Sequence, residues 1–210
     1  MTPFTALTAI ACPLGLANVD TDQLIPARFM ARPRSEGYGR FLLHDLRFGT
    51  DGRTAGFILD DPRYSGAAIL VARRNFGTGS SREAAVYALA DYGVRCVIAP
   101  SFGDIFAANA VKNGVLPALV EEPAAEHLIS WLASASRPEL SVDLASQTIR
   151  AGARTVAFGV DPVRRMQLLN GWDDLDLTLR HEAAIGAYRA GRRGSVPWVW
   201  PDTPRAPGDR

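Results

Sequence analysis

Residues 67–99 read AAILVARRNFGTGSSREAAVYALADYGVRCVIA. The apolar run 67–72 leads into a polar turn over 73–79, and then into a helical pattern that stops near Gly93. A second apolar run follows at 94–99. Runs without polar alternation are typical of strands buried on both faces, and glycine is the usual residue just after a helix. The segment therefore predicts a strand, a helix and a second strand in succession.

The same pattern continues to residue 120. We expect a second helix over 101–112, closed by Gly114, and a third strand over 115–120. Strands that alternate with helices in this way form a parallel βαβαβ unit, so the fold class is α/β. Shorter elements surround this core: a strand within 4–14, a helix at 124–135, antiparallel strands at 140–144, 148–150 and 155–158, and helices at 161–170 and 175–190.

The composition is that of an ordinary globular domain. The chain has 210 residues, of which 47% are hydrophobic and 21% charged, so we expect a single domain over 1–210. Residues 32–61 are rich in Gly, Arg, Pro and Asp, which predicts a mobile loop over about 30–61 with one helical patch near 39–45. Helices and a tail fill about 161–210.

Charge and cysteine content exclude several classes of protein. The net charge is +1, from 23 basic and 22 acidic residues, so bulk electrostatics gives no reason to expect nucleic-acid binding. Cys12 and Cys96 have no metal-ligand or disulfide-framework spacing. The sequence has neither an apolar run of membrane-spanning length nor a basic N-terminal leader, and we therefore expect a cytoplasmic protein.

The turn between the first strand and helix is the best candidate for a functional site. Gly77 and Gly79 permit positive φ angles and a close approach of ligand to backbone. Ser80 and Glu83 have the spacing of a capping box, in which Ser80 would begin the helix. The amides of such a turn attract carboxylates and phosphates, and Arg82 is unfavourable near a helix N-terminus unless a negative ligand faces it.

The alternative is a capped βα turn without chemistry, because glycine-rich turns of this kind are common. The stretch is not a phosphate-binding P-loop, since it lacks the Lys-Ser/Thr pair. It is a poor dinucleotide fingerprint, because Arg82 takes the place of the third glycine. It also lacks the Gly-x-Ser-x-Gly pattern of hydrolases.

Four stretches together resemble one known family. They are NFGTGSSRE at 75–83, ALADYGVRCVIAPSFGDIF at 88–106, KNGVLP at 112–117 and NVDTDQLIPARF at 18–29. Their content and order are similar to those of 3-isopropylmalate dehydratase small subunits, the free-standing form of the aconitase-superfamily swivel domain. The resemblance is close over residues 4–120 and looser beyond them.

The resemblance implies a β/β/α swivelling domain that works as half of a hydro-lyase. In that family a large subunit holds a [4Fe-4S] cluster, and two cysteines in this chain are too few to hold one. The implied reaction converts 2-isopropylmalate to isopropylmaleate and then to 3-isopropylmalate in leucine biosynthesis. The implied partners are the large subunit and a hydroxy-dicarboxylate substrate, with no nucleic acid and no membrane.

Roles follow residue by residue from the same resemblance. Ser80 matches the serine that removes a proton next to a carboxylate, and Arg82 matches the arginine that binds substrate carboxylate. Ser81 matches a neighbouring substrate-binding residue, and Thr78 and Gly79 of the same turn are further candidates. A serine that caps a helix is not free to act as a base, so either the cap forms differently or the serine roles are shared in another way.

A second group of candidates lies in the N-terminal stretch. Arg28 matches a basic residue of the family, with a surface salt bridge as the equal alternative. Met30 would suit an isopropyl group, and Arg32 a longer acid. For Asp20, Thr21 and Asp22 we favour a role in shaping the loop through side-chain hydrogen bonds to the backbone over a catalytic one.

Departures from the family pattern leave the substrate open. The family often has cysteine and histidine where this chain has Thr78 and Ala84, and Pro-Trp where it has Val86-Tyr87. A related hydratase of the citramalate or methylmalate type is therefore one alternative. A non-catalytic dicarboxylate-binding module is another, and a nicotinamide-dependent oxidoreductase a distant third.

The remaining chemistry-bearing residues are isolated in the sequence. For the three histidines we favour surface or interface positions over catalysis: His44, His127 and His181. Trp198 and Trp200 are candidates for contact with the large subunit, because aromatic side chains concentrate in interface cores. Packing against the chain's own helices is the alternative.

Overall fold

The structure is a computed structural model and describes residues 1–200; residues 201–210, the end of the predicted tail, lie outside the described residues. The chain divides into two compact units, the first spanning Met1–Trp172 and the second beginning at Asp173. The first unit contains every predicted site residue.

A seven-stranded mixed sheet forms the centre of the first unit, in the order β4-β3-β2-β1-β5-β6-β7. β1 to β4 are parallel to one another, whereas β5 pairs antiparallel with β1, and β6 and β7 continue the antiparallel half. The strands are β1 (Ala6–Pro13), β2 (Ile69–Val71), β3 (Cys96–Ala99), β4 (Leu116–Leu119), β5 (Glu139–Asp143), β6 (Thr148–Ala151) and β7 (Arg154–Ala157).

Six α-helices accompany this sheet. Two of them are single turns in the long connection between β1 and β2, which also has short 3₁₀ turns. The helices are α1 (Thr21–Leu24), α2 (His44–Arg47), α3 (Glu83–Tyr92), α4 (Asp104–Lys112), α5 (Glu122–Ser134) and α6 (Pro162–Asn170).

The parallel βαβαβ unit is confirmed as β2-α3-β3-α4-β4. Its strands alternate their side chains between two buried clusters, so that Leu70 and Val97 face one cluster while Ile69 and Ile98 face the other. A sheet covered on both faces explains why these strands are apolar at every position. The predicted antiparallel strands are confirmed as well, and the fold class is α/β.

The loop predicted over about 30–61 is more firmly packed than its composition suggests. Tyr38, Phe41, Leu42 and Leu43 are all buried in the cluster on one face of the sheet. Glycine, proline and arginine are so frequent in the segment that its composition does not indicate these buried apolar residues. The mobility of the segment stays a prediction for its exposed parts, 31–36 and 49–56.

The second unit has helices α7 (Asp174–Leu179) and α8 (Glu182–Ser195), followed by a 3₁₀ turn at Pro197–Val199. The single helix predicted at 175–190 is therefore wrong. The backbone of His181 leaves the helical region (φ −101°, ψ 14°), and this divides the segment into two helices. No helix within residues 1–200 is both long and apolar enough to cross a bilayer.

Candidate active site

Three loops meet at the carboxyl edge of the parallel strands. They follow β1, β2 and β3 and cover residues 14–20, 72–82 and 100–103. Backbone hydrogen bonds join them: Gly77 N–H donates to Val19 O at 2.7 Å, and Phe76 N–H donates to Ser101 O at 3.0 Å. Ligands bind at this edge in open α/β sheets.

The glycine-rich turn has the backbone that its sequence predicts. Gly77 has φ +73° and Gly79 has φ +101°. A Cβ atom at residue 77 would lie 2.1 Å from the Phe106 ring, and one at residue 79 would lie 3.2 Å from Thr21 Oγ1. Glycine at both positions therefore allows a positive φ angle, and it lets Phe106 and Thr21 pack closely against the backbone of the turn.

The predicted capping box between Ser80 and Glu83 is wrong. Helix α3 begins at Glu83 with Arg82 at the N-cap position, and no side chain caps it. Arg82 N–H donates to Ser80 O at 2.8 Å, so the chain makes a tight turn before the helix starts. Glu83 instead accepts a hydrogen bond from Asn113 Nδ2 at 3.0 Å. The Ser80 hydroxyl is therefore not used as a helix cap.

Helix α1 contacts both principal candidate residues, Ser80 and Arg82. Thr21 Oγ1 lies 3.2 Å from Ser80 Oγ and accepts a hydrogen bond from Ser80 N–H at 3.2 Å. Asp22 forms an ion pair with Arg82, whose side chain is 26% exposed. The Arg82 guanidinium, at the start of α3, thus has a carboxylate neighbour supplied by α1.

A capping box does form in this region, in α1. The Asp20 carboxylate accepts from Gln23 N–H at 2.7 Å, and Gln23 Oε1 accepts from Asp20 N–H at 3.0 Å. The spacing Asp-x-x-Gln carries this signal in the sequence. Asp20 and Thr21 therefore accept hydrogen bonds from backbone N–H groups, the kind of contact expected for this loop, whereas Asp22 pairs with the Arg82 side chain.

Arg28 lies in a separate cluster. Its guanidinium binds both carboxylate oxygens of Asp45, with Nη1 to Oδ2 at 2.8 Å, and lies 4.5 Å from the Phe29 ring centroid. His44 Nδ1 lies 3.1 Å from the same carboxylate. The hydrogen bond from Arg28, with a smaller contribution from His44, lowers the pKa of Asp45 to about 2. An open cleft of about 640 Å³ adjoins this cluster.

Met30 and Arg32 lie in the same connection between β1 and β2 as Arg28. The Tyr38 hydroxyl donates a hydrogen bond to Arg32 O at 2.7 Å. Met30 is half-buried against the core. The Arg32 guanidinium pairs with Glu36 at 3.4 Å. The glycine-rich turn thus holds Thr78, Gly79, Ser80, Ser81 and Arg82 together, while Arg28, Met30 and Arg32 belong to the connection between β1 and β2.

The three histidines lie in three different places. His44 belongs to the Arg28 cluster, His127 lies 3.3 Å from Arg154, and His181 is exposed between α7 and α8. Trp198 is 78% exposed, whereas the Trp200 ring lies within 5.8 Å of Arg189 and Arg193. Contact of these tryptophans with a partner stays a prediction.

The two cysteines do not fit an iron–sulfur cluster. Cys12 on β1 and Cys96 on β3 are fully buried, face opposite sides of the sheet and are separated by β2. Burial raises the pKa of both thiols, that of Cys12 to about 12, which disfavours the thiolate that binds metal. Across residues 1–200, no group of three or more acidic, histidine or cysteine side chains is placed to hold a metal ion.

Known proteins match this chain in sequence and in fold. The model of the aconitase C-terminal domain family matches residues 1–123. The 3-isopropylmalate dehydratase small subunit of Rhodospirillum centenum is 47% identical over 95% of this chain and 99% of its own length. That of Paramagnetospirillum magneticum is 44% identical over 95% and 100%.

A solved structure supports the fold. A crystal structure of 3-isopropylmalate dehydratase from Methanocaldococcus jannaschii superposes with a TM-score of 0.61, at 23% sequence identity, over 87% of this chain and 99% of that one. The family model covers more than half of the chain, and the curated relatives align over nearly its full length. The chain therefore belongs to the aconitase C-terminal domain family and, within it, to the 3-isopropylmalate dehydratase small subunits.

Proposed function

We propose that this chain is the small subunit of a two-subunit hydro-lyase that isomerises 2-isopropylmalate to 3-isopropylmalate through isopropylmaleate. The curated relatives at 44% and 47% identity carry the name of that enzyme's small subunit. Within the chain, the proposal rests on one arrangement: Ser80 and Arg82 lie in one turn at the carboxyl edge of the sheet, and both side chains contact α1.

Ser80 acts as the base in this proposal. Its Oγ, in the deprotonated form, takes the proton from the carbon next to a substrate carboxylate, so that the C–H bond breaks and an O–H bond forms on the serine. The electron pair left on that carbon forms the C=C bond as the hydroxyl leaves the neighbouring carbon. The reverse transfer returns the proton during rehydration. A serine hydroxyl is a weak base, and the positive end of α3 together with Arg82 stabilises its deprotonated form.

Arg82 binds a carboxylate of the substrate. Its guanidinium is planar and can donate two parallel hydrogen bonds to a carboxylate. In the free chain Asp22 supplies a carboxylate to this guanidinium. A substrate carboxylate has the same chemistry and would take these donors as it binds.

Neighbouring residues complete the substrate site in this proposal. Ser81 is exposed next to Ser80, and its hydroxyl would hydrogen-bond to the substrate. Thr78 and Gly79 precede Ser80 in the same turn and would line the substrate site. The second group supplies selectivity: Met30 would contact the isopropyl group, and Arg28 and Arg32 the outer part of the site. For Arg28 this requires an exchange of its bond to Asp45.

The partner is a large subunit, and we propose that it holds the [4Fe-4S] cluster implied by the aconitase family. The buried positions of Cys12 and Cys96 support this assignment. We also propose that the assembly works in the cytoplasm. The site of this chain is then one half of an active site that forms between the subunits.

The experiment is an anaerobic purification of the tagged chain from its own cells, followed by an assay of isopropylmaleate hydration. Recovery of a larger iron–sulfur protein together with this activity would support the proposal. Activity on methylmaleate alone would indicate a citramalate-type hydratase. No large partner, together with saturable binding of a dicarboxylate by the isolated chain, would overturn the proposal in favour of a binding module.

A further inference from the structure

Thr21 is the most deeply buried polar residue near the proposed base. It is 2% exposed and is the first residue of α1, where the capping box of Asp20 and Gln23 fixes the backbone. Its N–H donates to Thr78 O at 2.9 Å, so its backbone is tied directly to the glycine-rich turn. Both α1 and the glycine-rich turn therefore fix the backbone that carries the Thr21 side chain.

Chemistry and burial indicate the direction of the hydrogen bonds of its hydroxyl. Ser80 N–H can only donate, so Thr21 Oγ1 accepts that bond, which has a length of 3.2 Å. The hydroxyl then has one hydrogen of its own, and burial keeps this hydrogen from solvent. A buried donor needs an acceptor, and the side-chain oxygen within reach is Ser80 Oγ at 3.2 Å. By geometry either hydroxyl could donate, and the burial of Thr21 favours Thr21 as the donor and Ser80 Oγ as the acceptor.

We propose that Thr21 is a positioning residue for the base: its hydroxyl donates to Ser80 Oγ and stabilises that oxygen when it carries negative charge. Hydrogen bonds to a charged oxygen are about twice as strong as those between neutral groups, so the bond favours the deprotonated serine. This inference rests on the proposed function, because it requires that Ser80 act as a base.

The same bond orients the reacting oxygen. Thr21 holds Ser80 at two atoms, the backbone nitrogen and Oγ, which restricts rotation of the serine side chain. Gly79 permits this approach, since a Cβ at that residue would lie 3.2 Å from Thr21 Oγ1. Thr21 therefore determines where Ser80 Oγ points as well as how readily it gives up its proton.

The test compares Thr21→Val with Thr21→Ser in the complete two-subunit enzyme. Valine keeps the shape but removes the hydroxyl, and we expect kcat to fall by about 100-fold while KM changes by less than about threefold. The ascending limb of the kcat–pH profile should also move to higher pH, because the deprotonated serine loses a donor. Serine restores the hydroxyl, and its kcat should return to within about fivefold of the wild-type value.

Thr8→Val is the matched control. Thr8 Oγ1 also lies near a serine hydroxyl, Ser141 Oγ at 2.9 Å, but this pair joins β1 to β5 away from the turn. We expect unchanged kcat and an unchanged pH profile in this variant. A Thr21→Val enzyme with wild-type kcat and pH profile would overturn the inference, and so would a Thr21→Ser enzyme as impaired as the valine variant. An inactive wild-type complex would instead overturn the proposed function.

A second measurement keeps the inference testable if Thr21→Val does not fold. In the wild-type chain the Ser80 amide should exchange its hydrogen slowly, because it donates to a buried oxygen. In Thr21→Ser the protection should persist. Exchange of the Ser80 amide at the rate of an unstructured peptide would show that Thr21 does not hold the turn, and would overturn the inference.

Discussion

Arg82 and Asp22, 60 residues apart in sequence, form an ion pair between the start of α3 and helix α1. The pair joins the two segments whose sequences resemble the family most specifically. It also shows that the Arg82 guanidinium is already placed to bind a carboxylate. In the proposed function, a substrate carboxylate takes the place of Asp22 at Arg82, and the Asp22 side chain, already 57% exposed, is then solvated by water.

Arg82→Lys should reduce kcat/KM for isopropylmaleate hydration by about 100-fold, because an ammonium cannot replace the two parallel donors of a guanidinium. The matched control is Arg74→Lys, since Arg74 is exposed and pairs with Glu122 at 3.4 Å. This control should stay within about twofold of wild type. Equal losses in both variants would argue against a specific role for Arg82.

Gly77→Ala should destabilise the chain by about 3 kcal/mol or more, because alanine is strained at φ +73° and its Cβ would lie 2.1 Å from the Phe106 ring. Gly186→Ala is the opposite case: it lies within α8 with nothing within 4 Å of an added Cβ. That change should be neutral or stabilising by up to about 1 kcal/mol. Urea unfolding measures both, and a neutral Gly77→Ala would contradict the structure of the turn.

Arg47→Ala should destabilise the fold by about 2 kcal/mol or more, because it leaves Asp60 without its partner in a site where both side chains are largely buried. Arg47 also donates to Leu42 O at 3.1 Å, which fixes the start of α2. Arg53→Ala is the control, since Arg53 is 88% exposed. It should change the free energy of unfolding by less than about 0.5 kcal/mol. Similar values for the two variants would show that the connection is not packed as described.

Asp45→Asn should make stability less dependent on pH in acid. The pKa of Asp45 is lowered in the folded chain, from its ordinary value of 3.8 to about 2, mainly by Arg28. Its ionised form therefore stabilises the fold above the ordinary pKa, and this contribution is lost as the pH falls towards 2. The effect is small because both side chains are about half exposed.

The measurement is the difference in unfolding free energy between wild type and Asp45→Asn, from about pH 5 to about pH 3. We expect this difference to shrink as the pH falls. A difference that stays constant, or grows, would show that the Arg28–Asp45 pair does not hold in solution.

Local sequence signals predicted the parts of the fold that depend on neighbouring residues. The strands at Ile69–Val71 and Cys96–Ala99 are apolar throughout because they are covered on both faces, and such runs are visible in sequence. The capping box at Ser80 and Glu83 was the wrong interpretation of a correct spacing. Ser80 is instead hydrogen-bonded to Thr21, 59 residues away in sequence, and no local sequence pattern predicts this contact.

The unpredicted parts of the site depend on contacts between distant residues. A surface salt bridge was one of the two alternatives for Arg28, but its partner Asp45 was not predicted, and neither was the pairing of Arg82 with Asp22. Tyr38 and Phe41 lie in a stretch that resembles a polar loop, yet both are buried. In each case the contact or burial depends on packing between residues that are distant in sequence. Such packing cannot be predicted directly from a single sequence.

The proposed role of Ser80 as the base is tested by the turnover of a Ser80→Ala complex, prepared anaerobically with the large subunit and compared with wild type. We expect the Ser80→Ala chain to fold and bind its partner as wild type does, while hydration of isopropylmaleate falls by at least about 1,000-fold. A Ser80→Ala complex with near-normal turnover would contradict the proposed role, since some other group would then have to carry the proton.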